Sequence, residues 1–468
     1  MKLWQGRLPK VDLDPEFEQI NVSIDVDRRL FHEEIEVNIA WAQTLTEVRV
    51  LGEAERRRLV KALRQVEGEI ESGSLRLTAG QEDIHTAVEN RLVELVGPLG
   101  GKLRAGRSRN DLVVTDLRLH LKRALAEIAA RADALQAAAV MLAEAHPRAL
   151  MPGYTHLRQA QPILFAHVLM ALVSGLERDR GRLADAVRRF DLLPLGCGAL
   201  AGSGLPVDRE ALAARLGFAA PSDNSLDTVS DRDFVLEVAS ALAILLNRLS
   251  RVASDLILWS TQEFGFVEID ASLVTGSSLM PQKRNPDALE LVRARAGRAV
   301  GQVASLLATF KGLPGGYHKD LQEDKAPLFD LIDSTRLCLG VLRRCLESLE
   351  VREARMRSNL DPSTLATDLA DYLVERGVPF RQAHSAIAGL VSHCERRGLP
   401  LHLARLGDLQ RFNPALDEKA LRLLDPERSI ARRRSTGGTA PQSVAAQVRA
   451  ARRRLRRRGL LKEAAHGA

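Results

Sequence analysis

The chain has 468 residues, 45% of them hydrophobic and 27% charged, with aromatics at only 4%. That composition excludes disordered and fibrous classes and points to a core of Leu, Ala and Val, while the length calls for more than one compact core. The net charge of +7 is concentrated: without the seven arginines between 449 and 458, cations and acids balance at 60 each, so the body carries no general polyanion-binding charge.

Residues 1–106 mix short elements with charged helical patterns such as EAERRRLVKALRQVEGEIE (53–71), punctuated by Gly73, Gly80, Gly97, Gly100 and Gly101. This reads as a small α-rich N-terminal domain. It ends in a first polar island, GKLRAGRSRND (101–111). Arg107, Ser108, Arg109 and Asn110 there suit a carboxylate, because an Arg fork matches its geometry. The structural alternative is a basic loop with Ser108 or Asn110 capping the next helix.

From Asp111 onward the helical patterns lengthen. Residues 112–145, 162–190, 233–262 and 286–311 each run past twenty residues, which predicts a central bundle domain over 107–355. Within 233–259, Val235, Val238, Leu242, Leu245, Leu249, Val252 and Leu256 alternate steps of three and four, a seam for a partner helix. Ala239, Ala241, Ala243, Ile244, Leu246 and Ile257 broaden the apolar surface beyond one seam. Such a helix is expected among several others, including helices of other subunits.

Three more polar islands interrupt the bundle. MPGYTHLRQAQP (151–162) sets Thr155 and His156 beside Gln159 and Gln161, with Pro162 expected to open a helix. TGSSLMPQKRNPD (275–287) is poor helix and poor strand, so it predicts a mobile loop. Asn285 suits an N-cap there with Pro286 at N1, and Lys283 and Arg284 make an anion site ahead of a helix. A serine in this loop becomes a useful base only if its alkoxide is stabilised, which N–H groups of a Gly-Ser-Ser turn supply. GLPGGYHKDLQEDK (312–325) brings Tyr317, Lys319, Asp320, Gln322, Asp324 and Lys325 in alternating charge, suited to a zwitterionic ligand or, more plainly, to a solvated turn.

Residues 356–468 return to shorter helices broken at Pro362, Gly377, Pro379, Gly398, Pro400 and Pro414, a small C-terminal domain ending in the Arg-rich tail. No aromatic is interleaved there for base stacking, so the tail reads as a solvated helix end rather than an RNA or membrane contact. Cys197, Cys338, Cys345 and Cys394 show no metal-ligand spacing and read as buried thiols of a reducing compartment. With no signal-like or membrane-spanning apolar run in the sequence, a cytoplasmic location is expected.

Taken together, NVSIDVDRRL (21–30), EDIHTAVENRL (82–92), GRSRND (106–111), GYTHL (153–157), NSLDTVSDRDF (224–234), GSSLMPQKRNPD (276–287), KDLQEDK (319–325) and RRRSTGGTAP (432–441) resemble the argininosuccinate lyases and their crystallin relatives. The 276–286 loop is the signature of the wider aspartase/fumarase superfamily. The resemblance implies an all-α, three-domain subunit whose long helices form a multi-helix tetramer core, with each active site drawn from three subunits. It implies elimination of argininosuccinate to arginine and fumarate, in arginine biosynthesis, without metal or organic cofactor. Ser277 and His156 then stand at the catalytic positions, and Ser277 is expected to be the base. Lys283 and Asn285 fall on the succinyl carboxylates, and Ser23, Asn110, Thr155, Tyr317, Gln322 and Lys325 on further substrate contacts, with Arg109 and Asp83 in matching motifs. The chain departs from the family pattern at Arg104, Ala105, Leu112 and His318, and in its Trp4-Gln5-Gly6-Arg7-Leu8 run. The competing readings are another fumarate-releasing lyase of the adenylosuccinate or aspartate type, a silent crystallin-like structural protein, and an RNA-binding protein using the tail.

Overall fold

A computed structural model describes residues 13–78 and 80–461. Helix dominates. Five helices are long: α4 (Arg109–Ala145), α5 (Phe165–Phe190), α6 (Asp233–Trp259), α7 (Asp287–Phe310) and α8 (Lys325–Glu347). They follow α1 (Phe31–Glu47), α2 (Glu53–Glu71) and α3 (Ile84–Val96). Contacts divide the chain into two compact units, and each boundary falls inside one of the five long helices. The first unit takes the described chain up to Ala129 with Gly181–Ile244 and Arg298–Thr335; the second takes Ala130–Arg180, Leu245–Gly297 and the chain from Arg336 onward.

In the first unit, α2 buries Leu59, Ala62, Leu63 and Val66, the three-and-four spacing that its sequence predicts. These pack with Trp41, Leu45, Ile84, Leu92, Leu195, Leu212 and Phe218 in one apolar cluster. Each fully buried Leu or Ile contributes about 1.5–3 kcal/mol. Trp41 is fully buried with a hydrogen-bond partner for its indole, which donates to the Ala105 carbonyl (3.1 Å). That bond ties α1 to the polar turn ahead of α4.

The second unit has its own core at Leu365, Leu369, Leu373, Ile387, Leu390, Leu401 and Leu409, built mainly on helices Ala366–Glu375 and Phe380–Arg396. Helix α9 (Pro441–Arg457) buries Val444, Val448, Ala451 and Leu455. The arginines of this helix and its C-terminal cap are partly spent on this unit: Arg452 pairs with Glu144 (2.5 Å), and the cap residue Arg458 with Asp133 (2.8 Å) and Glu177 (2.5 Å).

The seam residues of α6 behave as the heptad pattern requires. Val235, Val238, Leu242, Leu245 and Leu249 are fully buried and Leu256 nearly so, with Val252 half-buried. Ile244 stays 43% exposed and Leu258 38% exposed. The broad apolar surface of this helix is therefore not wholly covered by the described residues of its own chain.

One expectation fails. Pro162 does not open a helix, because residues 150–164 form an antiparallel hairpin, β1 (Leu150–Thr155) with β2 (Arg158–Leu164), and α5 begins only at Phe165. Pro152 and Pro162 face each other in the register, so the residues that lack N–H donors share one position. Four two-stranded ladders occur among the described residues, and this is the long one. A second frames the Gly-Ser-Ser loop: β3 (Thr275–Gly276) pairs with β4 (Arg284–Asn285).

Candidate active site

Seven of the expected site residues lie in the first unit: Ser23, Asp83, Arg109, Asn110, Tyr317, Gln322 and Lys325. Asp83 caps α3, accepting from the Thr86 N–H (2.7 Å), and its second oxygen takes Arg109 Nη1 (2.7 Å). Arg109 Nη2 also donates to Thr86 Oγ1 (3.0 Å), so its guanidinium is fixed on two sides. Burial pushes the Asp83 carboxyl up, yet His85, Arg109 and the Thr86 N–H outweigh it and hold Asp83 below its usual value. Ser23 donates to Asp27 Oδ2 (2.6 Å), while Asp27 Oδ1 accepts from the Ile84 N–H (3.0 Å). Burial raises Asp27 to about 6, because its donors only partly offset desolvation.

The turn ahead of α4 is built by Asp111. One of its oxygens accepts from the Ser108 N–H (3.0 Å), and the other from Gly196 (2.9 Å) and Gly198 (2.8 Å). Asn110 donates its side-chain amide to the Ala199 carbonyl (3.1 Å). Gln322 reaches the Asn21 carbonyl (3.1 Å), two residues from Ser23. Lys325 donates to Asp324 Oδ1 (2.7 Å), and Arg232 Nε takes Asp324 Oδ2 (2.9 Å). All three of these charged groups are buried. Tyr317 is half-buried, and burial, followed by the Asp324 charge, pushes its hydroxyl above the ordinary range; Asp83 and Arg109 act on it as well. The first-unit residues are thus cations, carboxylates and amides, most of them held in place by their own neighbours.

In the second unit, Thr155 and His156 sit exposed at the tip of the β1–β2 hairpin. His156 (φ 53°) and Leu157 (φ 58°) both take left-handed backbone, the demand of a two-residue type I′ turn that Asn-Gly normally meets. Holding a histidine and a leucine there costs local free energy, a cost that concentrates at functional sites. Neither Thr155 nor His156 has a side-chain hydrogen bond among the described residues. Gln159, by contrast, donates to the Asn359 carbonyl (2.7 Å) and accepts from the Asp361 N–H (2.8 Å), an anchoring role.

The Gly-Ser-Ser loop, also in the second unit, is closed by β3 and β4. Ser277 Oγ accepts from the backbone N–H groups of Leu279 (3.2 Å) and Met280 (3.0 Å). Two donors on one hydroxyl oxygen stabilise negative charge on it. Asn285 lies in β4 and does not cap α7; the Pro286 carbonyl accepts from Glu290 N–H instead (3.1 Å), so the helix starts one residue later than the cap reading requires. The Asn285 amide is therefore left without a protein partner among the described residues. A cavity of 350 Å³ adjoins the loop, lined in part by Gln282, Lys283, Arg284 and Arg352. Glu268 binds both Arg284 and Arg352, which leaves Lys283 as the loop cation without a partner among the described residues.

The departures from the family pattern have local accounts. Arg104 pairs with Glu89 (2.8 Å), Ala105 receives the Trp41 indole, Leu112 is buried in the first unit's apolar cluster, and the His318 ring meets the Pro314 carbonyl (3.1 Å). The departures at Gln5 and Leu8 lie outside the described residues. Groups that sequence reasoning missed are Asp27, Arg232 and Glu34. Asp27 carried a signal, being an acid four residues after Ser23; the others are visible only through contacts with residues 51 or more positions away.

Donor atoms of the kind that hold metals converge within 4.8 Å in two places among the described residues, the half-exposed His32–Glu67–Glu71 and the buried Glu34–His85–Asp116. At the second, protein groups already engage both Glu34 oxygens and Arg107 faces the cluster, so it is an internal ion network.

A family model described as "Lyase" matches residues 9–301, and one described as "Argininosuccinate lyase C-terminal" matches residues 363–431. The argininosuccinate lyase of Roseiflexus sp. (strain RS-1) is 49% identical over 96% of this chain and 99% of its own length. That of Pelotomaculum thermopropionicum is 46% identical over 98% and 99%. Among solved structures, an EDDS lyase variant with bound fumarate superposes with a TM-score of 0.84 at 30% identity, covering 96% of this chain and 91% of that one. The class II fumarase of Schistosoma mansoni, at 17% identity and a TM-score of 0.73 over 87% and 91%, shares the fold.

Proposed function

We propose that this chain, which belongs to the argininosuccinate lyase family, eliminates fumarate from argininosuccinate and leaves arginine. The observation that carries the reading is Ser277, its oxygen held by two N–H groups in a loop that also presents Lys283 and Asn285, whose side chains have no partner among the described residues. In the reaction a proton leaves the succinyl carbon next to a carboxylate, and the carbanion spreads its charge into that carboxylate. The carbon–nitrogen bond then breaks, its electron pair goes to the guanidino nitrogen, and that nitrogen takes up a proton. A dianion-like intermediate requires fixed cations and N–H donors, and no step requires a metal or organic cofactor.

Ser277 is the base, and the Leu279 and Met280 N–H groups lower the cost of charge on its oxygen. Lys283 and Asn285 hold the succinyl carboxylates. His156 is the second catalytic residue, with Thr155 beside it as a substrate contact. Ser23, Asp83, Arg109, Asn110, Tyr317, Gln322 and Lys325 bind the rest of the substrate. The domain order is 1–106, 107–355 and 356–468.

The enzyme is a cytoplasmic homotetramer with shared sites. Supporting the compartment, all four cysteines are free and buried, and no described helix is long and apolar enough to cross a membrane. Supporting assembly, Leu291, Val300 and Leu307 of α7 and Leu337 of α8 are each more than half exposed, an apolar load suited to partner helices. The measurement that tests the reading is absorbance at the fumarate band when argininosuccinate is added, with adenylosuccinate and aspartate as controls. Release from argininosuccinate alone is expected. Release only from a control would replace this substrate, and silence from folded protein would favour a crystallin-like role. If sites are shared, mixing inactive His156→Asn and Ser277→Ala subunits restores part of the activity, up to about a quarter of sites for random assembly of independent segments. Mixed oligomers with no recovery would rule out sharing.

A further inference from the structure

Beneath the Gly106–Asp111 turn, the first unit buries a run of polar groups that the elimination itself does not use. Arg107 Nη2 donates to Asn38 Oδ1 (2.5 Å), Asn38 Nδ2 donates to Glu34 Oε1 (2.6 Å), and Glu34 Oε2 lies 2.6 Å from His85 Nδ1. Asp116 Oδ2 is 3.6 Å from the same ring nitrogen. Glu34, Asn38, His85 and Asp116 are all at most 4% exposed. The run therefore leads from the interior to the turn that carries Arg109 and Asn110.

The two carboxyls are not equivalent. Glu34 has a hydrogen-bonding partner on each oxygen, whereas neither oxygen of Asp116 meets a donor among the described residues. A fully buried carboxylate without donors is strongly disfavoured in its charged form. The groups facing Asp116 are Glu33 and Glu34 from α1, His85 from α3 and Arg107 from the turn. Two nearby acids against one arginine and one imidazole leave room for a single carboxyl proton in the pair.

We propose that Glu34, His85 and Asp116 are positioning residues for the reaction, holding through Asn38 and Arg107 the turn that presents Arg109 and Asn110, with the shared proton on Asp116. The function of the turn rests on the lyase reading above; the network does not. Burial and the Glu34 charge push Asp116 well above the carboxylate range. Burial would raise Glu34 too, but His85 and Arg107 outweigh it and hold Glu34 at about 2. His85 is pulled down by burial and raised more strongly by Glu34, so the contact favours its charged form.

Two readouts separate positioning from plain stability, and a third tests the proton assignment. Glu34→Gln strands the His85 charge and loosens the turn, so KM rises and kcat/KM falls on the order of tenfold to a hundredfold. Amide exchange across Ser108–Asp111 speeds up in the same variant. Asp116→Asn, which mimics the protonated acid, loses at most a few-fold in kcat/KM and leaves that exchange slow. The third readout is the pH dependence of unfolding. Folded Asp116 holds its proton to higher pH than the unfolded chain, which loses it near the ordinary aspartate value of 3.8, so it costs stability increasingly as pH rises above that value. Asp116→Asn removes this decline. Should Glu34→Gln fail to fold, Asn38→Leu cuts the same run nearer the turn and is expected to give the same KM rise.

Equal damage from Asp116→Asn and Glu34→Gln would overturn the proton assignment. Lower thermal stability with unchanged KM and unchanged exchange would overturn positioning. Absence of fumarate release from the unmodified enzyme would instead defeat the lyase reading, while exchange and the pH dependence of unfolding still decide the network.

Discussion

Ser277→Ala is expected to lower kcat on the order of a thousandfold or more while leaving the protein folded and its assembly unchanged. The Ser277 oxygen does one local structural job, accepting the Leu279 and Met280 N–H groups at the tip of a hairpin whose Ser278 to Lys283 segment is exposed. Water can replace that acceptor, so the stability cost is about 1 kcal/mol or less. The chemical cost is larger, because no other side-chain oxygen in the loop has two N–H donors converging on it. Fumarate absorbance, circular dichroism and gel filtration on the same preparation check this. A variant with kcat within tenfold of the parent would remove Ser277 from the base role and move attention to His156. A variant that is inactive because it is unfolded would show instead that the turn, not the base, had been tested.

The same loop shows why some of the site was legible in the sequence and some was not. Gly, Ser, Pro and Asn at 276–286 announce a non-helical loop through their own backbone preferences, and that much requires no tertiary information. The role of Asn285 did not follow, because Asn before Pro fits an N-cap equally well, and only the pairing of β4 with β3 decides against it. The hairpin at 150–164 was hidden for a related reason. Its turn residues are His156 and Leu157, not the Asn-Gly that marks a two-residue turn, and each strand carries a proline that argues against a strand. Sequence rules fail there because the backbone is held against local preference, at the two residues beside Thr155. Helices α2 and α6, whose apolar residues keep strict spacing over many turns, were readable almost to the residue. The buried pairs were out of reach, since Arg232 and Asp324 are 92 positions apart and each looks like an ordinary surface charge in its own segment.

That pair gives the largest stability change expected. Asp324 is fully buried and offers one oxygen to Arg232 and the other to Lys325, whose side chains are 1% and 5% exposed. Asp324→Ala would leave two cations in the interior without their counter-ion, and breaking such a group from one side costs about 3–5 kcal/mol. Arg232 Nη1 donates to the Asp231 carbonyl (2.8 Å) and the Val229 carbonyl (3.4 Å), which do not neutralise its charge, and Nη2 has no partner among the described residues. Chemical denaturation should show the loss as a lower midpoint with an unchanged slope. Activity should fall as well, because the Lys325 ammonium that Asp324 holds is a proposed substrate contact. The double variant Asp324→Ala with Arg232→Met separates the two effects. It removes the stranded guanidinium but not the stranded Lys325 ammonium, so part of the stability returns, while Lys325 stays unanchored and the KM remains high. If the double variant is as unstable as the single one, the stranded Arg232 guanidinium is not the source of the loss. If it recovers both stability and KM, Asp324 serves the fold alone and Lys325 does not depend on it for position.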